Sequence, residues 1–230
     1  MQLTSNPPRT RGIPAPITLR NIRVNHGVIV ALAGVSATIE AGLVTALAGP
    51  NGSGKSTLVA VAAGIQSVQS GERMAAAAAS IALVVQRGAA PDTLPLTVLD
   101  TVSMGRWATR GMWRPLTRAD RLIVAESIAA LGLEGLERRA LGELSGGQRQ
   151  RALVAQGLAR QADVLLLDEP AAGLDGEALL LIGLAIRREA ERGAAVLCAT
   201  HDPDVVARAD RVIRLESGRL VPAGELSGLG

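Results

Sequence analysis

The amino-acid sequence predicts an α/β fold built on a mostly parallel sheet, and three observations carry that prediction. Short, near-continuous apolar runs recur at residues 43–47, 81–85, 164–167 and 194–200. Runs of that length and character suit strands covered on both faces, as the strands of parallel sheets are. Helical stretches separate the runs, and alternating strand and helix with right-handed crossovers is the α/β pattern. Each run leads into a residue with chemistry to offer: Gly49, Gln86, the Asp168-Glu169 pair and His201. Ligands of open parallel sheets bind beyond the carboxyl ends of the strands, so these residues are expected to converge on one edge.

The helices follow from the same reading. Residues 55–63 leave a glycine-rich loop and stop at Gly64. Residues 117–131 open with Thr117 and Asp120 in capping-box spacing. Residues 177–192 lie between the last two strand candidates. The stretch 87–162 breaks the alternation, is mostly helical, and reads as an inserted subdomain. The expected organisation is one domain over 1–230, with a core at about 17–86 and 163–223, a helical subdomain at about 87–162 and a flexible N-terminal segment at 1–16. Residues 211–215 and 219–221, about Glu216-Ser217-Gly218, read as a short hairpin.

Composition narrows the function classes. Of the 230 residues 48% are hydrophobic, yet Tyr and Phe are absent and Trp107 and Trp113 are the only aromatic residues. The core must be aliphatic, and any base-stacking site must do without Tyr or Phe. The net charge is +3, Lys55 is the only lysine, and no basic block marks a nucleic-acid partner. Cys198 is the only cysteine, which excludes an intrachain disulfide and suits a small buried residue. The N-terminal residues are polar and contain proline, without the apolar stretch of a signal peptide. The longest apolar stretch, 74–85, is mostly alanine and too short to span a bilayer. The expectation is a soluble, cytoplasmic chain, with any membrane part supplied by other chains.

Gly49-Pro50-Asn51-Gly52-Ser53-Gly54-Lys55-Ser56 fits G-x-x-x-x-G-K-[ST], with a strand before it and a helix after, and Thr57 continues into that helix. The glycines let backbone N–H groups turn inward around phosphate oxygens. Lys55 adds a point charge at the β- and γ-phosphates, and Ser56 offers a hydroxyl to Mg²⁺. The helix N-terminus supplies a further positive end. Asp168 ends an apolar strand and is expected to hold Mg²⁺ directly or through water, while Glu169 orients and polarises the attacking water. His201 sits at the same edge as a candidate donor to the γ-phosphate. Gln86 is placed to reach Mg²⁺ or the water, and it lies where the helical insert begins. Phosphoryl transfer needs this kind of positioning and charge stabilisation more than covalent chemistry.

Leu144-Ser145-Gly146-Gly147-Gln148 is a helix start, since Ser145 and Gln148 stand in capping-box spacing. Two glycines in the first turn weaken a helix, but they permit close backbone approach, and a helix N-terminus favours an anion. With this segment the chain resembles the ABC ATPase family. The resemblance covers nearly the whole chain in the family's order: residues 49–57, Gln86, 144–148, Asp168-Glu169-Pro170, Ala171-Ala172-Gly173-Leu174-Asp175, and His201.

The resemblance implies a RecA-like P-loop NTPase core with an N-terminal antiparallel β part, and ATP hydrolysis with Mg²⁺. It implies a head-to-tail homodimer in which ATP lies between the loop at 49–57 of one subunit and Ser145, Gly146, Gly147 and Gln148 of the other, with Asp175 touching the partner. It further implies integral-membrane permease subunits, an extracytoplasmic substrate-binding protein, and a peripheral position on the cytoplasmic face of the inner membrane. The family usually places an aromatic residue, commonly Tyr, upstream to stack on adenine. Here His26 takes that position, either as the adenine platform or as an exposed loop histidine. Thr97-Val98-Leu99-Asp100-Thr101-Val102 and Met104-Gly105-Arg106-Trp107 look like ATPases of zinc and manganese importers, as does the run from Arg110 to Asp120. This similarity implies import of a divalent metal ion. The alternative is another cargo, such as an iron chelate, a different nutrient or an exported drug. Trp107 and Trp113 then either pack in the subdomain core or face the membrane subunit.

Overall fold

A computed structural model describes residues 17–85 and 96–221. The expected flexible segment at 1–16 and the strand-end residue Gln86 lie outside the described residues. The strands are β1 (Ile17–His26), β2 (Ile29–Ile39), β3 (Val44–Ala48), β4 (Ser70–Met74), β5 (Ile81–Val84), β6 (Val164–Asp168), β7 (Ala195–Thr200), β8 (Arg211–Glu216) and β9 (Arg219–Val221). The helices are α1 (Lys55–Ala63), α2 (Val98–Met104), α3 (Trp107–Arg110), α4 (Arg118–Ala130), α5 (Gly146–Ala159), α6 (Gly176–Glu191) and α7 (Pro203–Ala207), with a 3₁₀ turn at Leu141–Glu143.

The four apolar runs form four consecutive strands, from the β5 edge to β3, of one six-stranded sheet of order β5-β6-β7-β3-β8-β9. β5 to β8 are parallel, and β9 closes the edge antiparallel to β8. Every residue of β3, β6 and β7 is buried. Because side chains alternate along a strand, β6 sends Leu165 and Leu167 into one core and Val164 and Leu166 into another. The first core lies against α5, α6 and the helical segment. The second is closed by α1 and a three-stranded antiparallel sheet of order β2-β1-β4. Buried Cys198 points into the first core, where burial chiefly, with Glu169 and Asp168 charge behind it, pushes its thiol up to about 12.

Two strands depart from the sequence reading. β8 is more than one arm of a hairpin, because it also pairs in parallel with β3. Asp210 makes that join: its carboxylate accepts from the Val44 amide at 2.8 Å and from Arg187. Those hydrogen bonds, the Arg187 ones foremost, hold its carboxyl below the ordinary range. β4 carries no apolar alternation, since its sequence is Ser-Gly-Glu-Arg-Met and it is a largely exposed edge paired with β1. Arg73 on β4 donates to the Ala62 carbonyl at 2.9 and 2.7 Å and so closes the last turn of α1.

The helical segment is organised by its caps. Thr97 and Asp100 form a complete capping box on α2, and Thr117 and Asp120 form one on α4. Gly105 lets α2 cross α5 closely: a Cβ there would lie 2.3 Å from the Gln156 carbonyl oxygen. Arg106 follows, buried, and donates to Asp120 at 3.0 Å and to the Ala159 carbonyl at 2.9 Å. One buried cation thereby ties the N-terminus of α4 to the C-terminus of α5. Burial alone would raise the Asp120 carboxyl, but hydrogen bonds from Thr117 and Arg106 outweigh it and lower it to about 2. The carboxylate therefore contributes its full stability above the unfolded value near ~4 and loses that contribution as pH falls toward about 2. Asp120→Ala leaves Arg106 buried without its counterion and is expected to cost about 3 kcal/mol, a fall in Tm of roughly 6–12 °C. Thermal melting by circular dichroism checks this; a fall below ~2 °C, within the range of a minor cap loss, would remove the network from that role. Of the two tryptophans, Trp107 is half-buried and Trp113 is exposed. Among the described residues no helix is long and apolar enough to cross a membrane.

Candidate functional site

β3, β6 and β7 lie side by side and deliver Gly49, Asp168-Glu169 and His201 to one edge. The loop after β3 is wedged against its neighbours. A Cβ on Gly49 would lie 2.1 Å from the Leu215 carbonyl oxygen of β8, and one on Gly54 would lie 2.5 Å from the Ala31 oxygen of β2. Both glycines are required by close approach, and Gly54 also has φ +102. The β8–β9 turn braces the loop from behind: the Gly218 amide donates to the Ser53 carbonyl at 3.0 Å, and the Ala33 amide of β2 donates to the Gly218 carbonyl at 2.8 Å. The sequence marks Glu216-Ser217-Gly218 as a hairpin turn, and the structure adds that this turn backs the loop.

Lys55 opens α1 and is buried at 6% exposure. Its ammonium donates to the Gly49 carbonyl at 2.8 Å and the Pro50 carbonyl at 3.1 Å. It also stands 3.4 Å from Glu169 Oε1. That approach is electrostatic, because Oε1 has no hydrogen-bond partner. Glu169 is buried and its backbone is left-handed, with φ +49. A left-handed non-glycine residue costs of order 1 kcal/mol and is held only where surroundings determine it. Here the Glu169 amide donates to the Ala199 carbonyl of β7 at 2.9 Å, and Glu169 Oε2 lies 2.9 Å from His201 Nδ1. Glu169 is thus gripped between Lys55 on one side and His201 on the other.

Asp168 is buried beside Glu169. Burial pushes its carboxyl above the ordinary range; the Glu169 charge adds to that, while the Ser56 hydrogen bond and the Lys55 charge oppose it. Asp168 Oδ1 and Ser53 Oγ are buried without a hydrogen-bond partner. Buried polar atoms in native folds are ordinarily satisfied. The unpartnered Asp168 oxygen and the hydroxyl of Ser56, which bonds the same carboxylate, form the hard-oxygen donor set that Mg²⁺ prefers, so the residues present fit a Mg²⁺-bound triphosphate.

The remaining sequence candidates sit apart from this cluster. Ser145, exposed, caps α5: its hydroxyl accepts from the Gln148 amide at 3.2 Å, and Gln148 Oε1 accepts from the Ser145 amide at 3.0 Å. Gly146 and Gly147 form the first turn, and a Cβ on Gly147 would lie 3.2 Å from Leu174, one residue before Asp175. Asp175 is exposed and caps its own helix, α6, by accepting from the Ala178 amide at 2.9 Å. His26, exposed at the end of β1, places Nε2 3.3 Å from Thr57 Oγ1. Asp202 was not singled out from sequence. Its carboxylate caps α7 and its amide donates to Thr200 Oγ1 at 3.0 Å, which fixes the chain on either side of His201.

The profile of the ABC transporter family matches residues 32–172. The chain is 36% identical over 122 residues to a manganese transport system ATP-binding protein of Halalkalibacterium halodurans, an alignment covering 53% of this chain and 49% of that protein. It is 46% identical over 112 residues to a thiamine import ATP-binding protein of a Ruegeria species, covering 47% of this chain and 48% of that protein. The chain thus spans about half the length of these curated relatives. Among solved structures, a metal-chelate type ABC transporter in an inward-facing conformation superposes with a TM-score of 0.78 at 27% identity, covering 90% of this chain and 82% of that one. A dimeric bacterial ABC transporter cassette superposes with a TM-score of 0.78 at 25% identity, covering 93% of this chain and all of that one.

Proposed function

Since the chain belongs to the ABC transporter family, we propose that it is the ATP-binding, ATP-hydrolysing subunit of a membrane transporter that imports a divalent metal ion, manganese or zinc. The observation that carries the hydrolytic reading is the grip on Glu169 between Lys55 and His201. A carboxylate held at both oxygens beside a phosphate loop is a base with a defined direction. The loop at Gly49–Thr57 cradles the triphosphate with inward backbone amides, and Lys55 exchanges its contacts with the Gly49 and Pro50 carbonyls for phosphate oxygens. Glu169 takes a proton from water as the water oxygen bonds to the γ-phosphorus and the bond to the β-phosphate oxygen breaks. His201 keeps Glu169 in place and donates towards the γ-phosphate. Ser56 and Asp168, with Gln86, would hold Mg²⁺, which neutralises charge on the β- and γ-phosphates when bound.

The site is completed by a second copy, whose Ser145, Gly146, Gly147 and Gln148 close over the γ-phosphate and whose Asp175 contacts the partner. The exposed, amide-bearing start of α5 supports that role, because its first turn holds no acidic residue and a helix N-terminus is suited to an anion. Permease subunits in the inner membrane and an extracytoplasmic binding protein complete the assembly, with this chain on the cytoplasmic face. The manganese relative and the metal-chelate transporter favour a metal cargo; the thiamine relative favours an organic cation. Uptake of manganese, zinc, an iron chelate and thiamine, measured in parallel in a strain lacking the gene, decides between them. Loss of manganese or zinc uptake is expected, and a loss confined to thiamine or the iron chelate would replace the metal-ion reading.

A further inference from the structure

The contact between His26 and Thr57 assigns His26 a place at the phosphate end of the nucleotide. The two-residue turn at Gly27-Val28 pairs His26 with Ile29, which fixes where the ring begins. From there Nε2 reaches Thr57 Oγ1 at 3.3 Å. Thr57 is the third residue of α1, and the first amide of that turn to bond back to the N-cap Gly54 carbonyl is that of Leu58. The Thr57 amide and hydroxyl therefore belong to the end of the helix that lacks internal partners and attracts anions.

A hydroxyl has one proton to give and lone pairs to receive. If the Thr57 proton points at the imidazole, it is spent within the chain. If the imidazole carries its proton on Nε2 and donates, the Thr57 oxygen is satisfied and its proton is free for a phosphate oxygen. The Gln69 side chain is engaged elsewhere: it accepts from the Asn25 amide at 2.9 Å and donates to the Asn25 carbonyl at 3.3 Å. We infer that His26 is a positioning residue for the phosphates, holding Thr57 through Nε2–H so that the Thr57 hydroxyl donates to the bound nucleotide. This rests on the reading of Gly49–Thr57 as an ATP site. The contact engages the ring edge at the helix start, a role separate from any stacking by the ring face.

Two substitutions separate the roles. His26→Phe keeps an aromatic face and loses the donor; His26→Gln loses the face and keeps an N–H that reaches Thr57. Calorimetric titration of the full chain with MgATP and with tripolyphosphate, which has no base, reads both. His26→Phe is expected to weaken both ligands by about fivefold, the weight of one hydrogen bond, while His26→Gln stays within about twofold of wild type for both. In a Thr57→Ala background the His26→Phe change should have no further effect, since the two residues act as one unit. Wild-type tripolyphosphate affinity in His26→Phe, or a loss in His26→Gln confined to ATP, would overturn the inference and leave His26 at the base. If wild type binds neither ligand, the ATP-site reading falls and this inference with it.

Discussion

Glu169→Gln is expected to abolish turnover while ATP binding persists. The amide has the shape of the carboxylate and can still meet His201, so the left-handed turn after β6 is retained. It cannot accept a proton from water, and loss of a general base lowers the rate by at least about 100-fold. Binding should hold or tighten, because the negative charge 3.4 Å from Lys55 is removed and the ammonium is freed for phosphate. The ATP-bound dimer should then accumulate, visible as a shift in size-exclusion chromatography with MgATP. Phosphate release within about threefold of wild type would take Glu169 out of the role of base, since such a change is far below the general-base range.

Lys55→Ala and Ser145→Arg should each inactivate a homodimer, and mixing the two should restore activity. Lys55→Ala removes the chain's only lysine from the loop and weakens nucleotide binding. Ser145→Arg destroys the capping box at the start of α5 and places bulk where the second subunit's nucleotide would sit, without touching the loop at Gly49–Thr57. In a head-to-tail heterodimer both lesions fall in one composite site and the other is intact. Random mixing makes about half the dimers heterodimeric with one good site each, so roughly a quarter of wild-type activity is expected if sites act independently. Nucleotide binding by the Ser145→Arg monomer should be unchanged. A mixture as inactive as its parents would show that the two segments do not complete one another across subunits.

The central strands and α1 were legible because their signals are local and strong. An apolar run buried on both faces needs no context, and β3, β6 and β7 are buried at every residue. The capping boxes at Ser145 and Thr117 were legible because three-residue spacing is enforced by the first turn itself. β4 was not, because an exposed edge strand carries no apolar pattern. The parallel pairing of β8 was not either, because it depends on Asp210 reaching Val44, 166 positions away.

The loop at Gly49–Thr57, the acids at the end of β6 and His201 were determined by the sequence itself, since each is a residue type at the end of an apolar strand and parallel pairing brings such ends to one edge. The tertiary structure alone decided what those residues do to one another. It turned Glu169 into a left-handed conformation between Lys55 and His201. It set β8 and β2 against the loop, so that Gly49 and Gly54 must be glycine for want of space as well as for backbone freedom. It also aimed His26 at Thr57. The physical reason is that strand ends are a matter of local hydrophobic pattern, whereas the direction of a side chain at a strand end is set by which neighbours the sheet order places beside it.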